Sequence, residues 1–328
     1  MIWLEFIVSA ALIVLAATQL AKYADALAVH TKLGGMFIGL ILLAGVTSLP
    51  ELLTTISSVR QGAPNLAAGG LLGSNMINMV LLAVLDLAHH NERILRKAAL
   101  KHALTGSLSV FIIALVVFFI VARLNYGIGW VGMDSLMVLA VYVLAIRLIR
   151  KNSSASAPSH EEESTEGIPG LTHSIIGFSL AAGSLVFITP WMVSTSVQIA
   201  DITGLGTTFI GTSLVALVTS LPELVTTLAA VRMGADDMAI GNLFGSNMFN
   251  MFAIGFTDLV FTQGFFLSSI DSSFLLVGML GILMTGMGLI GNLARLERRI
   301  WFVELDAMAL LVIYIFGMWL LFQRSIGI

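Results

Sequence analysis

The chain has 328 residues, 58% of them hydrophobic and 11% charged, with a net charge of −3 and no cysteine. Soluble domains average about 25% charged residues, so a mean hydropathy of +0.98 excludes a water-soluble globule and points to a polytopic membrane protein. The small net charge gives no basis for nucleic-acid binding, and without cysteine there is no disulfide or thiolate metal site.

The chain opens MIWLEF, with Glu5 and no basic stretch. That argues for a retained first span rather than a cleaved leader. At about 20 apolar residues per crossing, ten spans are predicted: 3–22, 34–59, 64–87, 103–122, 127–147, 171–199, 206–231, 238–261, 272–293 and 303–323. Apolar character fades slowly at the ends of the first and sixth. With the N-terminus outside, the inner loops hold Lys22, Lys32, Arg93, Arg96, Lys97, Lys101, Arg147, Arg150, Lys151, Arg232, Arg295, Arg298 and Arg299. The outer segments hold Arg60, Arg123 and Arg324. This bias of basic residues predicts both termini external, in the cell inner (cytoplasmic) membrane.

Five spans per half place the two halves upside down relative to each other. The predicted fold is therefore an all-α membrane protein of ten transmembrane helices in two inverted five-helix repeats, an architecture that sets its site at mid-membrane. The first repeat is 1–150, the linker 151–170 and the second repeat 171–328. Residues 151–167, KNSSASAPSHEEESTEG, read as a flexible cytoplasmic linker. Glu161, Glu162 and Glu163 read as a solvated charge run rather than a regulatory cation site.

A duplicated motif carries the chemistry. VTSLPEL occurs at 46–52 and 218–224, and GSNMxN follows at 73–78 and 245–250. One offset of 172 residues superimposes both, with about 30 of 54 positions identical between 34–87 and 206–259. On a helix Thr47 and Glu51 share a face, with Ser48 beside them. Pro50 and Pro222 lack the N–H that would bond the carbonyls of Val46 and Val218. Such freed carbonyls are tolerated at membrane depth where they line a polar cavity. Carboxylate, hydroxyl and carbonyl oxygens together form the ligand set of hard cations. Intramembrane carboxylates are costly and mark function.

The companion motif adds Ser74, Asn75 and Asn78. Gly69, Gly70 and Gly73 precede it, and small residues allow close helix approach in lipid. The second and third spans are expected to cross tightly, facing Glu51 toward Asn78, with Glu223 and Asn250 completing a four-cornered site. Asn75 and Asn247 read either as ligands or as capping or interhelical bonding groups. Two glutamates balance one Ca²⁺ or two monovalent ions. Close carboxylates in low dielectric resist joint ionisation, so the site stays loaded with Ca²⁺, Na⁺ or protons. That exclusive occupancy is the physical basis of antiport.

Other polar residues read more plainly. Asp86 and Asp258 match across the repeat near helix ends, which favours an interfacial or hinge role. Asp134 is unmatched, near the outer end of its span. His89, His90 and His102 make no convincing metal set. The sixteen methionines read as apolar packing.

The duplicated TSLPE and GSNxxN resemble the α-repeats of the cation/calcium exchanger superfamily, in particular its prokaryotic sodium/calcium exchanger branch. The resemblance implies ten helices, with the second, third, seventh and eighth around the ions and long, tilted first and sixth helices sliding across them. It places ion ligands at Thr47, Ser48, Glu51, Ser74, Asn78, Thr219, Ser220, Glu223, Ser246 and Asn250, with backbone carbonyls of Ala44 and Ala216. It implies Na⁺ influx driving Ca²⁺ export, the two ions competing for overlapping sites. Two departures stand out: Val46 and Val218 occupy the position where many relatives have Gly, and Asn250 stands where some have Asp. Asn250 makes the site symmetric and removes a titratable group. The GNxxE motif typical of the proton/calcium branch is absent, which favours sodium coupling.

The expected activity is thus Na⁺/Ca²⁺ antiport, with H⁺/Ca²⁺ exchange or, less favoured, a passive cation channel as alternatives. No cofactor is expected, and the expected partners are Ca²⁺, Na⁺ and the lipid bilayer, for a monomeric or weakly associated protein. An intramembrane enzyme is disfavoured, because no HExxH and no Ser/His pairing appears in the spans.

Overall fold

The structure, a computed structural model, describes residues 1–30, 43–88, 99–154, 169–232, 235–294, 299–300 and 303–326. The described residues are helical almost throughout. In order come α1 (Ile2–His30), a helical turn at 43–47, α2 (Leu49–Arg60), α3 (Pro64–Ala88), α4 (Ala99–Ala122), α5 (Met133–Ser154) and α6 (Leu171–Thr203). The second half continues with α7 (Gly206–Ile210), a π-helical turn (Gly211–Val215), α8 (Ala216–Thr219), α9 (Leu221–Arg232), α10 (Asp236–Val260), α11 (Phe266–Ser269), α12 (Phe274–Ala294) and α13 (Leu305–Ser325). Among the described residues, six helices are long and apolar enough to cross a membrane. α10 is as long as α3 but carries Asp236 and Asp237 in its first turn and Asn242 where α3 has Gly70, which lower its hydropathy.

Several boundaries differ from expectation for physical reasons. α1 contains neither Gly nor Pro, so the helix runs past the apolar stretch to His30. α6 extends to Thr203 and ends at Gly204, whose φ of 68° suits glycine at a helix C-terminus. At 1.5 Å per residue, α1 and α6 are about 44 and about 50 Å long, well beyond a hydrocarbon core of about 30 Å. The fifth span begins late. Residues 127–132, expected to be helical, form a two-stranded hairpin, β1 (Gly127–Ile128) against β2 (Val131–Gly132), with Gly129 at φ 65° in its turn. A second hairpin pairs β3 (Arg299–Ile300) with β4 (Val303–Glu304). The start of the second span, His89, His90 and most of the acidic linker lie outside the described residues.

Burial divides the bundle in two. The larger apolar cluster joins α3, α4, α10 and α12 through Leu72, Met79, Ile113, Phe244, Met251 and Met284, among others. A separate cluster joins α1 and α6 to residues 210–218 through Ile13, Leu20, Leu185, Met192 and Val215. α3 is central, with 89% of its apolar window buried, against 17% for α6. The outward residues of α6, such as Phe187 and Leu180, are exposed and apolar, as a lipid-facing helix requires.

Candidate cation site

Both copies of the motif break their helix at one residue. Ser48 (φ −88°, ψ 9°) and Ser220 (φ −87°, ψ 0°) sit between helical segments, each followed by Leu-Pro. The chain stays bonded around the break: the amides of Ser48 and Ser220 donate to Ala44 O and Ala216 O, at 3.0 and 3.1 Å. Proline at the second position of α2 and of α9 costs no bond there, because first-turn amides have no intrahelical acceptor. Each Glu then falls in the first turn of its helix.

The expected site residues come together, and they do so across the two halves. Ser48 Oγ donates to Glu223 Oε1 at 2.9 Å. Its mirror, Ser220 Oγ, donates to Glu51 Oε1 at 3.5 Å. Asn78 Nδ2 donates to Asn247 Oδ1 at 2.9 Å, and Asn250 Nδ2 to Asn75 Oδ1 at 3.0 Å. Ser74 Oγ lies 3.4 Å from both Ala216 O and Thr219 Oγ1. Ser246 makes no comparable bond, though its hydroxyl faces the Glu223 carboxylate. Thr47 Oγ1 donates to Ala44 O at 3.2 Å, and Thr219 Oγ1 to Val215 O at 3.1 Å. Ala44, Ala216 and the ten side-chain positions named above are all buried, none more than 3% exposed.

Asn75 and Asn247 thus act as interhelical bonding groups. By accepting from Asn250 and Asn78 they turn the Oδ1 atoms of those two residues away. Asn247 is itself anchored by Thr285 Oγ1 at 3.4 Å. The position 172 residues before Thr285 is Ile113, and Asn75 Nδ2 correspondingly lacks a partner among the described residues.

The glycines hold the halves together rather than the second span against the third. A Cβ on Gly73 would stand 2.5 Å from Thr212 O, and one on Gly69 2.9 Å from Thr212 N. α3 therefore lies backbone to backbone against the π turn of the other half. The π turn ends at Val215, one residue before Ala216, and such turns recur at functional sites.

Within the candidate site, five buried oxygens have no hydrogen-bond partner among the described residues: Glu51 Oε2, Glu223 Oε2, Asn78 Oδ1, Asn250 Oδ1 and Ser246 Oγ. A buried acceptor left unsatisfied costs about 1–3 kcal/mol, more if charged. The two carboxylates also lie close enough to repel. A desolvated cation satisfies oxygens of this kind, and two carboxylates with neutral oxygens match the donors that Ca²⁺ prefers. Asn75 Nδ2 is a donor and takes no part.

Other residues settle into structural roles. Asp258, fully buried, accepts from Gly132 N and Phe266 N, both at 2.6 Å, and ties the α5 hairpin and α11 to the end of α10. Asp134 Oδ1 accepts from Ser135 N at 2.7 Å. Asp86 is buried. His102 faces Asp237 at 3.8 Å, away from the motif residues.

A helical membrane protein with buried, two-fold related carboxylates among cation-type oxygens belongs to the ion-translocating class. Residues 1–149 and 173–323 match the family described as Sodium/calcium exchanger protein, and the chain belongs to that family. The family is one of transporters, not of enzymes. Among relatives, the chain is 26% identical over 303 residues to "Putative antiporter CaxA" of Alkalimonas amylolytica, covering 89% of this chain and 91% of that one. Its fold is similar to that of the H⁺/Ca²⁺ exchanger CAX, with a TM-score of 0.73 at 14% identity over 99% of this chain and 85% of the other. It is also similar to that of the sodium-calcium exchanger NCX_Mj, with a TM-score of 0.60 at 22% identity over 97% and 99%.

Proposed function

We propose that this chain is a secondary active antiporter exchanging Na⁺ for Ca²⁺ by alternating access, exporting Ca²⁺ on Na⁺ influx. In this reading ten spans form two inverted repeats, 1–150 and 171–328, joined by a cytoplasmic linker at 151–170. Both termini lie outside the inner membrane. The ligands are the side chains of Thr47, Ser48, Glu51, Ser74, Asn78, Thr219, Ser220, Glu223, Ser246 and Asn250, with the carbonyls of Ala44 and Ala216. The observation that carries the reading is the reciprocal pairing of Ser48 with Glu223 and Ser220 with Glu51. Each carboxylate is held by a hydroxyl from the opposite half, so both halves are needed to build one site. Two carboxylates neutralise one Ca²⁺ or two Na⁺, and Ca²⁺ and Na⁺ exclude each other.

A second reading is H⁺/Ca²⁺ exchange, favoured by the higher structural similarity to the H⁺/Ca²⁺ exchanger. The test is radiolabelled Ca²⁺ uptake into proteoliposomes against Na⁺, K⁺ and H⁺ gradients imposed separately. Uptake driven by the Na⁺ gradient and lost in Glu51→Gln and Glu223→Gln supports Na⁺ coupling. Uptake that follows the pH gradient and ignores Na⁺ replaces it with proton exchange. Flux that continues without any counter-ion overturns antiport in favour of a channel.

A further inference from the structure

The second half of the site has a polar side chain that the first half lacks. Asn242 lies on α10 one turn before Ser246, and the matching residue of the first half is Gly70. Asn242 is 1% exposed. Its Nδ2 donates to Thr226 Oγ1 at 3.2 Å and Thr227 Oγ1 at 3.3 Å. Those two bonds fix the amide and turn Oδ1 toward Thr47, whose Oγ1 donates to it at 3.4 Å. Gly70 faces only apolar material, with Val215 Cγ1 3.5 Å from where a Cβ would stand. Thr54, the counterpart of Thr226, accordingly keeps a buried hydroxyl with no partner among the described residues.

The two site threonines are therefore served differently. A hydroxyl ligates a cation through its lone pairs only if its proton points elsewhere. Thr219 donates to backbone alone, to Val215 O, the carbonyl that closes the π turn, at 3.1 Å and to Ala216 O at 3.4 Å. Thr47 shares its proton between Ala44 O and the Asn242 carboxamide. Thr47 also faces the Glu223 carboxylate, so the direction of its proton matters to an ion seated there.

We infer that Asn242 is a positioning residue for cation binding: anchored by Thr226 and Thr227, it shares the Thr47 proton with Ala44 O and so helps keep Thr47 Oγ1 open toward an ion held by Glu223. The inference rests on the reading of this site as a cation site. An amide suits the role because it accepts a proton without adding a third charge beside the two glutamates.

The test is Ca²⁺ uptake by the full chain in proteoliposomes, measured against Ca²⁺ concentration. Asn242→Leu is expected to raise the KM for Ca²⁺ about 3- to 10-fold, the loss of roughly one hydrogen bond, with the maximal rate kept within about two-fold. In a Thr47→Val background the same substitution should add nothing further, since a residue acting through another shows non-additivity in a double-mutant cycle. The pair Thr226→Val with Thr227→Val leaves Asn242 in place but unanchored, and should reproduce the KM rise if Asn242→Leu fails to fold. Multiplicative effects of Asn242→Leu and Thr47→Val, or a lowered maximal rate with unchanged KM, overturn the inference. Wild-type protein that moves no Ca²⁺ under any cation gradient overturns instead the exchange reading beneath it.

Discussion

Alanine at Gly73 and alanine at Gly70 differ in one respect, and the structure supplies its size. At Gly73 the new methyl would stand 2.5 Å from Thr212 O and 2.8 Å from both Thr212 Cα and Ala216 Cβ. With optimal carbon contacts near about 3.5 Å, α3 and the opposing segment must part by about 0.7–1.0 Å. None of these atoms belongs to a flexible side chain. At Gly70 the methyl would meet only Val215 Cγ1 at 3.5 Å, an ordinary contact. Both substitutions gain about 0.8–1.0 kcal/mol of helix propensity. Only Gly73→Ala adds an overpacking cost of about 1–3 kcal/mol, so that cost is the difference between the two variants. At roughly 2–4 °C per kcal/mol, Gly73→Ala should melt about 2–12 °C below Gly70→Ala. It should also weaken the site, because Ser74 already sits 3.4 Å from Ala216 O and Thr219 Oγ1 and further separation breaks both contacts. Thermal unfolding in detergent and the KM for Ca²⁺ uptake measure the two consequences. A Gly73→Ala protein as stable as Gly70→Ala, with unchanged KM, would refute the close backbone approach.

Ser48→Ala should raise the KM for Ca²⁺ more than Ser220→Ala. The 2.9 Å bond to Glu223 is well formed and the 3.5 Å bond to Glu51 is at its limit. Hydrogen bonds to charged groups are worth about 1.5–3 kcal/mol, or roughly 10- to 150-fold; equal effects in the uptake assay would contradict the geometry. Asn75→Ala and Asn247→Ala each remove the acceptor for an Asn Nδ2 of the opposite half. Each should cost about 1–3 kcal/mol in thermal stability and raise the KM. Asp258→Ala leaves two backbone N–H groups without their acceptor, so it should lower the melting temperature while the KM stays at the wild-type value.

The candidate site is legible because an internal duplication prints its residues twice. Identity between the copies singles out Thr47, Ser48, Glu51, Ser74 and Asn78 with their mates, and proline after Leu49 and Leu221 signals the helix break. The same comparison hides Asn242, since it stands where the first copy has Gly70 and a search for identities passes over differences. The signal was available as the one polar-for-glycine exchange just ahead of the second GSNMxN. Thr285 was beyond reach for another reason: it lies on α12, outside the motif, in an apolar helix. The partner of Gly69 and Gly73 is not written in the sequence. Small residues announce a close approach but not the partner, which proves to be the π turn of the other half. Residues 127–132 form a hairpin instead of a span start because Gly127, Gly129 and Gly132 favour the turn, although Ile128, Trp130 and Val131 are apolar enough for a span.

The distribution of polar bonds bears on which parts can move. Ser48–Glu223, Ser220–Glu51, Asn78–Asn247 and Asn250–Asn75 join the halves in buried surroundings. Parting them strands several acceptors at about 1–3 kcal/mol each. α1 and α6 contribute nothing to this network, pack in their own apolar cluster and face lipid on their outer sides. Sliding them past the core exchanges apolar contact for apolar contact, which is far cheaper. Opening of the site should therefore come from α1 and α6 moving together against a fixed core. The chain has no cysteine, so paired cysteines test this cleanly. Tyr23 packs on Gly177, from α1 to α6, and Gln61 Nε2 donates to Pro190 O at 3.1 Å, from the end of α2 to α6. Cross-linking Tyr23→Cys to Gly177→Cys should leave Ca²⁺ turnover intact, since those helices travel as a unit. Cross-linking Gln61→Cys to Pro190→Cys should stop turnover, and reduction should restore it. Full turnover with the second cross-link closed would mean that α6 does not slide on α2, and the movement would have to be sought within the cross-bonded core itself.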